Sequence, residues 1–421
     1  MNKRRLIEWG KTLLIVLLTV SAIKLSGASD IVEQVFGTEQ LTESAVETGF
    51  QETEHEHQAA KPMTIMITTA ENAHHGVKYG SEALDEAYGW FTASLGEALG
   101  SSGEPVQVSQ EQWESALHGS GVFFDYLYDQ SLASVANWLG VEISSDASLH
   151  TSRRLCLTVE DSGVALYYIR ALDGKAYRCE TALNSASLES RLAEYVPNGA
   201  MFIFETGGSF DSIDPYYAIL PQLDAMDELT AENPLQEMDD SALLSPFGMN
   251  ALVANRYVES DGVTVYVEGE KSLRVSTDGR MVYNCMDGEQ ETQPEDGTPD
   301  AIETAYELVN SLPCSDEWRL QMSYISYDAD TEEYTVRFDY VVDGAIVCFE
   351  GRQSAMEIVI NGSCGVVRAD LLCRSYTASG SATPMPELQA LAVVTTLGGG
   401  EPMLAYTDNG ENVSLGWVIK N

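Results

Sequence analysis

The sequence predicts an α+β fold: an N-terminal transmembrane helix, a mixed α/β first domain, then antiparallel sheets each covered by a helix. Two segments about eighty residues apart carry the sheet prediction. "SLRVSTDGRMVYNC" (272–285) and "AMEIVINGSCGVVRAD" (355–370) both alternate apolar and polar residues around a short bend, Asp278-Gly279 in one and Asn361-Gly362 in the other. Such alternation marks a strand with one face covered and one wet, and Asp-Gly or Asn-Gly suits the positive φ of a tight hairpin. The cover is legible too: "TPDAIETAYELVNSLP" (298–313) sets Ile302, Ala305, Tyr306, Val309 and Leu312 on one helical face.

At the N-terminus, Lys3, Arg4, Arg5 and Lys11 precede the run "TLLIVLLTVSAI" (Thr12–Ile23), and beyond Lys24 apolar and small residues continue to Ala28. Twelve such residues are short for a span of about 20 and match the core of a signal peptide, with Ser26-Gly27-Ala28 as a small-residue cleavage site. Read as one helix, Leu6–Ala28 measures roughly 34 Å, with Trp9 at interfacial depth and Lys24 snorkelling outward. We read residues 1–29 as a basic cytoplasmic tail and an uncleaved anchor, with a cleaved signal as the alternative. Both export everything after residue 29, because the basic flank stays in the cytoplasm. Residues 30–60, rich in Glu, Thr, Gln and His, form an acidic flexible tether that holds a folded body off the membrane.

The first extracytoplasmic domain is expected over 61–235. It opens with the β-rich "MTIMITT" (63–69), followed by a helix near Glu82–Leu99, a short helix near Gln110–Leu117 and the strand "GVFFDYLY" (121–128). Strands "RLCLTVE", "VALYYIRA" and "AYRCET", a helix "NSASLESRLAEYV" and a strand "AMFIFET" (200–206) follow. Residues 207–245 are acidic and turn-rich and read as a connector. The second domain, 236–421, is expected as two sheet-plus-helix units. "EYTVRFDYVV" alternates Tyr334, Val336, Phe338 and Tyr340 with Thr335, Arg337 and Asp339. "MPELQALAVVTTL" supplies the second helix, and "PMLAYTD" and "VSLGWVI" close the chain.

Charge bounds the function. The 65 acidic residues against 23 basic give −42, and the first 29 residues are +4, so the exported part carries −46. That excess repels phosphate backbones and anionic lipid, and no nucleic-acid partner is expected.

Chemistry is sparse. No HExxH, GxSxG, Walker or Rossmann motif occurs, and the glycines of "LGGGEP" follow a helix instead of opening one. His55 and His57 alternate with Glu54 and Glu56 in the tether, where the entropy of ordering a mobile segment argues for a solvated linker over a metal site. His74 and His75 read as an ordinary surface loop pair, and "DADTEE" (328–333) lacks the full spacing of a calcium loop. Trp90, Trp113 and Trp138 fall on helices of the first domain and read as core. The seven cysteines show no CxxC pair; Cys348, Cys364 and Cys373 sit on neighbouring predicted strands, as buried thiols or with one bridge among them. No catalytic residue, metal or cofactor is expected, and the protein is read as non-enzymatic.

The stretch "KRRLIEWGKTLLIVLLTVSAIKLSG", the large exported body, the strands "VTVYVEGEKSLRVSTDGRMVY" and the ending "MLAYTDNGENVSLGWVIKN" resemble the YycH family of Gram-positive bacteria and its relative YycI. The resemblance implies a membrane-anchored accessory regulator of the YycG (WalK) sensor histidine kinase, within the YycFG (WalRK) two-component system. It also implies that the C-terminal units share a PepSY-like fold, with the kinase and a YycI-like protein as partners. Contact through the anchor points to Thr12, Thr19, Ser21 and Ala22, small enough for close helix approach, with lipid-facing positions as the alternative. Two other functions stay open: an exported binding module for wall glycan, peptide or a protease, and an envelope hydrolase using paired carboxylates.

Overall fold

The computed structural model describes residues 61–286, 297–312, 319–410 and 412–420. The anchor, the tether, Cys314 and Trp318 lie outside the described residues.

Seven antiparallel strands make the first sheet: β1 (Thr64–Ala70), β2 (Ala73–Val77), β3 (Val106–Gln107), β4 (Gly121–Ser131), β5 (Thr151–Glu160), β6 (Gly163–Arg170) and β7 (Lys175–Glu180), in the order β2-β1-β4-β5-β6-β7-β3. Successive side chains serve two cores. Ile65, Ile67, Phe124, Leu155 and Leu157 pack with Phe91 and Leu95 of α1 (Ser81–Gly100), Leu132 and Val135 of α3 (Leu132–Trp138) and Leu188 of α4 (Ser185–Leu192). Met66, Phe123 and Cys156 pack with Trp113 of α2 (Gln110–His118). "GVFFDYLY" and "RLCLTVE" read as continuous apolar runs because both faces of this sheet are covered. A capping box aims Trp113: Gln112 N–H donates to Ser109 Oγ (3.3 Å) and Ser109 N–H to Gln112 Oε1 (3.0 Å).

Two expectations fail between residues 200 and 245. "AMFIFET" is not one strand: β8 (Met201–Phe202) pairs with β9 (Ala218–Ile219) and the chain turns at once into a 3-10 turn, Ile203–Thr206. Phe202 N–H donates to the Glu205 carboxylate at 2.6 Å, a local bond closed within the turn itself. The connector is also structured, holding β10 (Met226–Glu232), which pairs with β20 (Ser375–Ala382), and α5 (Asp240–Leu244).

The rest of the chain forms one eleven-stranded sheet, where two separate sheets were expected. Its strands are β11 (Asn255–Val258), β12 (Thr264–Glu268), β13 (Lys271–Val275), β14 (Arg280–Cys285), β15 (Arg319–Asp328), β16 (Glu333–Val342), β17 (Ala345–Phe349), β18 (Met356–Asn361), β19 (Val366–Leu372), β21 (Glu401–Asp408) and β22 (Val413–Lys420). Their order is β11-β12-β13-β14-β19-β18-β16-β17-β21-β22, with β15 on the other edge of β16. The two hairpins join because β14 pairs with β19, Arg280 opposite Leu372 through Asn284 opposite Arg368. Each hairpin alone would leave a row of N–H and C=O groups unpaired, and the matching alternation of both lets one edge satisfy the other. One neighbour pair, β17 and β21, is parallel.

A single helix, α6 (Gly297–Ser311), covers both hairpins. Ile302, Ala305, Tyr306 and Val309 share a core with Leu273, Met281, Tyr283, Ile358, Ile360 and Leu371, and the Tyr306 ring meets Phe338 edge-on at 4.9 Å. The second expected helix, α7 (Glu387–Thr396), does not lie over a sheet of its own. Its Leu391 and Val394 pack on Ile203, Ile213, Tyr217 and Ile219, far earlier in the chain. At the Asn361-Gly362 bend the left-handed residue is Cys364 (φ 61°), because the Asn361 carboxamide accepts from Ser363 N–H (3.1 Å) and Gly365 N–H (2.8 Å) and widens the loop.

Candidate functional site

A dense polar constellation lies where the first sheet meets the end of the second. Lys78 directly follows β2, Arg153 and Arg154 interrupt the apolar run of β5, Glu387 opens α7, Glu401 opens β21 and Lys420 ends β22. In a chain with 23 basic residues against 65 acidic ones, four cations gathered at one junction are scarce charge committed to structure.

Lys78 donates to Glu387 Oε1 at 2.6 Å and to the Ala218 carbonyl at 3.0 Å, with its ammonium 3.6 Å from the centre of the Tyr217 ring. Glu387 is saturated in turn, accepting from Tyr217 Oη–H (2.5 Å) on Oε1 and from Leu220 N–H (2.6 Å) on Oε2. Both side chains are buried. Burial pulls the Lys78 ammonium below its ordinary value of 10.5, and the charge and hydrogen bond of Glu387 oppose that pull. The same carboxylate, after burial, pushes the Tyr217 phenol well above its usual range.

Beside this pair, Arg153 donates to both oxygens of Glu401, one at 2.8 Å, and to Asp125 Oδ1 at 2.5 Å. Arg154 reaches Asp125 Oδ2 at 3.3 Å and grips Asp214 through two bonds of 2.9 Å. Burial pushes the Glu401 carboxyl up, but the hydrogen bonds and charge of Arg153 outweigh it and hold the group at about 2. Lys420 closes the rim by donating to the Leu127 carbonyl at 2.9 Å. Between these residues remains a cavity of about 40 Å³. Backbone contact completes the junction: Gly80 N–H donates to the Asp343 carbonyl at 2.9 Å, and a Cβ on Gly344 would stand 3.0 Å from Gly80 N.

A second cluster corrects the reading of His74 as a surface loop residue. His74 and His75 lie on β2, and His74 is buried. Thr68 Oγ1 donates to the Leu117 carbonyl (3.2 Å) and lies 2.9 Å from His74 Nδ1. His74 Nε2 faces Glu205 Oε1 at 3.0 Å. His118 brings Nε2 to 3.1 Å of the same oxygen without hydrogen-bond alignment. Burial raises Glu205, but the bonds from His74 and Phe202 N–H and the two imidazoles outweigh it and hold the carboxyl below its ordinary value. The cluster pins the 3-10 turn to β2 and α2.

A recess of about 740 Å³ opens between α6, the β12–β13 turn and β14, lined among others by Glu268, Lys271, Tyr283 and Glu307. It brings acidic groups around one lysine, with no histidine in its lining. Among the described residues no group of three His, Cys, Asp or Glu is arranged to hold a metal ion. No helix among them is long and apolar enough to cross a membrane. Thr12, Thr19, Ser21, Ala22, His55 and His57 lie outside the described residues. Trp113 is core, as expected, and Trp90 is exposed at 40 % with Arg191 over its ring. Cys156 and Cys179 are buried free thiols.

Sequence reasoning missed Lys78, Glu387 and the Arg153-Arg154 pair. The usable signal was a charge standing alone in uncharged surroundings: Arg153-Arg154 beside "LCLTV", and Glu387 as the one charged residue between 375 and 400.

No family model and no curated protein matches the sequence. By structure the chain is similar to YycH from Bacillus subtilis, with a TM-score of 0.54 and 12% identity, over 86% of this chain and 94% of that one. The likeness is one of fold, and it is the YycH-like fold that the resemblance implied.

Glu387→Gln leaves Lys78 buried without its counter-charge and should lower the free energy of unfolding by about 3–5 kcal/mol in urea titrations. Lys78→Met with Glu387→Met removes both charges and should cost clearly less; an equal loss would show that packing, not charge pairing, holds the junction. Glu401 titrates at about 2 when folded against an ordinary 4.5. The unfolded chain therefore binds more protons in that interval, and stability present above about pH 5 is lost as pH falls toward 2, by up to about 3 kcal/mol. Glu401→Gln should flatten that acid limb, measured as the unfolding midpoint from pH 5 to 2.5.

Proposed function

We propose that this protein is a membrane-anchored, non-enzymatic extracytoplasmic regulator of a sensor histidine kinase of the YycG (WalK) type. The observation that carries the reading is the YycH-like fold across 86% of the chain. The basic tail and apolar run at residues 3–28 support a single-pass anchor with the N-terminus in the cytoplasm and the body outside. Thr12, Thr19, Ser21 and Ala22 are the proposed contacts with the kinase's membrane helices, and a YycI-like protein is a second proposed partner.

Regulation by contact has a physical requirement. The protein shifts the kinase only if it binds one signalling state more tightly than the other, whatever its overall affinity. A differential of about 1.4 kcal/mol moves the ratio of states tenfold. A tethered body needs little intrinsic affinity to deliver it, because a short flexible link gives an effective concentration in the millimolar range. The junction of Lys78, Glu387 and Arg153 bears on this: it ties the two sheets together, so a contact on one is felt by the other.

Replacing residues 6–28 by an unrelated transmembrane helix, with residues 30–421 kept, should change the output of a kinase-dependent reporter several-fold at equal protein level. An unchanged response contradicts contact through the anchor. Mass measurement of the protein extracted from membranes should show the N-terminus retained; a chain beginning after Ala28 contradicts it.

A further inference from the structure

A small recess opens at the edge of the first sheet, where the chain passes from β3 into α2. It measures about 290 Å³ and lies between the first turn of α2, the start of β7 and the ring of Tyr216. Trp113 forms part of its wall. That ring is wholly buried, yet its Nε1–H meets no acceptor among the described residues. Its position is fixed: it meets Phe123 edge-on at 6.3 Å and Tyr216 at 5.8 Å, on a helix held by the Ser109 capping box. Core side chains packed with it, such as Phe123, Ala165 and Phe202, are hydrocarbon, so an acceptor has to come from the open side, the recess. A buried indole donor without an acceptor costs free energy, and native chains nearly always supply one.

The rest of the lining says what kind of acceptor fits. Lys175 is its one charged residue, and the ammonium donates to Gln107 Oε1 at a long 3.4 Å. In a chain of 65 acidic residues against 23 basic ones, no carboxylate lines this space. The acids next to it in sequence are engaged elsewhere. Asp173 accepts from Arg170 (3.0 Å), Glu114 from Gln110 Nε2 (2.8 Å) and Asp214 from Arg154 (2.9 Å), while Glu111 turns back on Ser109. Val108, Ile169 and Ala176 make the remaining wall apolar. The volume exceeds that of one water many times and stands near the lower end of small-ligand pockets.

We propose that this recess binds a small carboxylate on a short apolar stem, one oxygen accepting from Trp113 Nε1–H and the charge facing Lys175. The site goes beyond the regulator reading and does not rest on it. The full chain in detergent, labelled with nitrogen-15 tryptophan, is titrated with butyrate, with N-acetyl-trialanine bearing a free C-terminal carboxylate, with butyramide and with inorganic phosphate. The Trp113 indole N–H signal, assigned by its loss in Trp113→Phe, should move downfield saturably with butyrate or the peptide; the tighter of the two tells a free acid from a peptide terminus. Butyramide should bind about tenfold more weakly, because a hydrogen bond to a charged acceptor is the stronger. By calorimetry, Lys175→Gln should weaken butyrate binding up to about fivefold. Lys175 is exposed, so this variant should unfold at the wild-type midpoint. Trp113→Phe keeps a ring and removes the donor, and should weaken binding about tenfold or more. If that variant does not fold, Lys175→Gln and butyramide decide. The proposal is overturned by the absence of a saturable shift, or by butyramide or phosphate binding as tightly as butyrate. Unchanged affinity in Lys175→Gln, or equal shifts of the Trp90 and Trp417 signals, overturns it as well.

Discussion

A lysine ammonium held out of water beside a carboxylate is the constraint on which the rest of this structure depends. Lys78 comes from the first sheet and Glu387 from the helix that precedes the last two strands, so their bond spans 309 residues of sequence. Neither charge tolerates burial alone, and each is satisfied only when both halves of the chain are in register. Arg153 and Arg154 extend the same logic to Glu401, Asp125 and Asp214. Since cations are scarce here, the junction draws them from the surface and leaves the outside acidic. A body of that kind stays soluble, keeps off anionic lipid and does not readily pair with itself.

That rigidity reaches α7. In this protein α7 is anchored through its own first residue, Glu387, into the buried pair. The His74–Glu205 contact does the same for the turn on which α7 packs.

Much of the fold was legible because it follows from local periodicity. The hairpins at 272–285 and 355–370, the helix over 298–311 and strands β1, β4, β5, β6 and β7 of the first sheet stand where local sequence pattern and turn chemistry put them. What failed was set by partners distant in sequence. Nothing in either hairpin says that β14 will meet β19, since an edge looks the same whether it ends a sheet or joins another. "AMFIFET" has the composition of a strand, and only the reach of Glu205 back to Phe202 N–H turns it. His74 resembled a loop residue because β2 is short and its covering partners, Asn198 and Ala200, arrive more than 120 residues later. Arg153-Arg154 and Glu387 were visible as charges beside uncharged runs, but not their pairings. The likeness to YycH is one of fold.

The most direct test of the central claim is hydrogen exchange followed separately in the two sheets under mild denaturant. If the buried junction makes them one cooperative body, amides of β4 and β5 and of β16 and β18 should open with the same free energy, and Glu387→Gln should split them into two classes. Separate opening in the unaltered protein, or common opening that survives the substitution, would contradict the account.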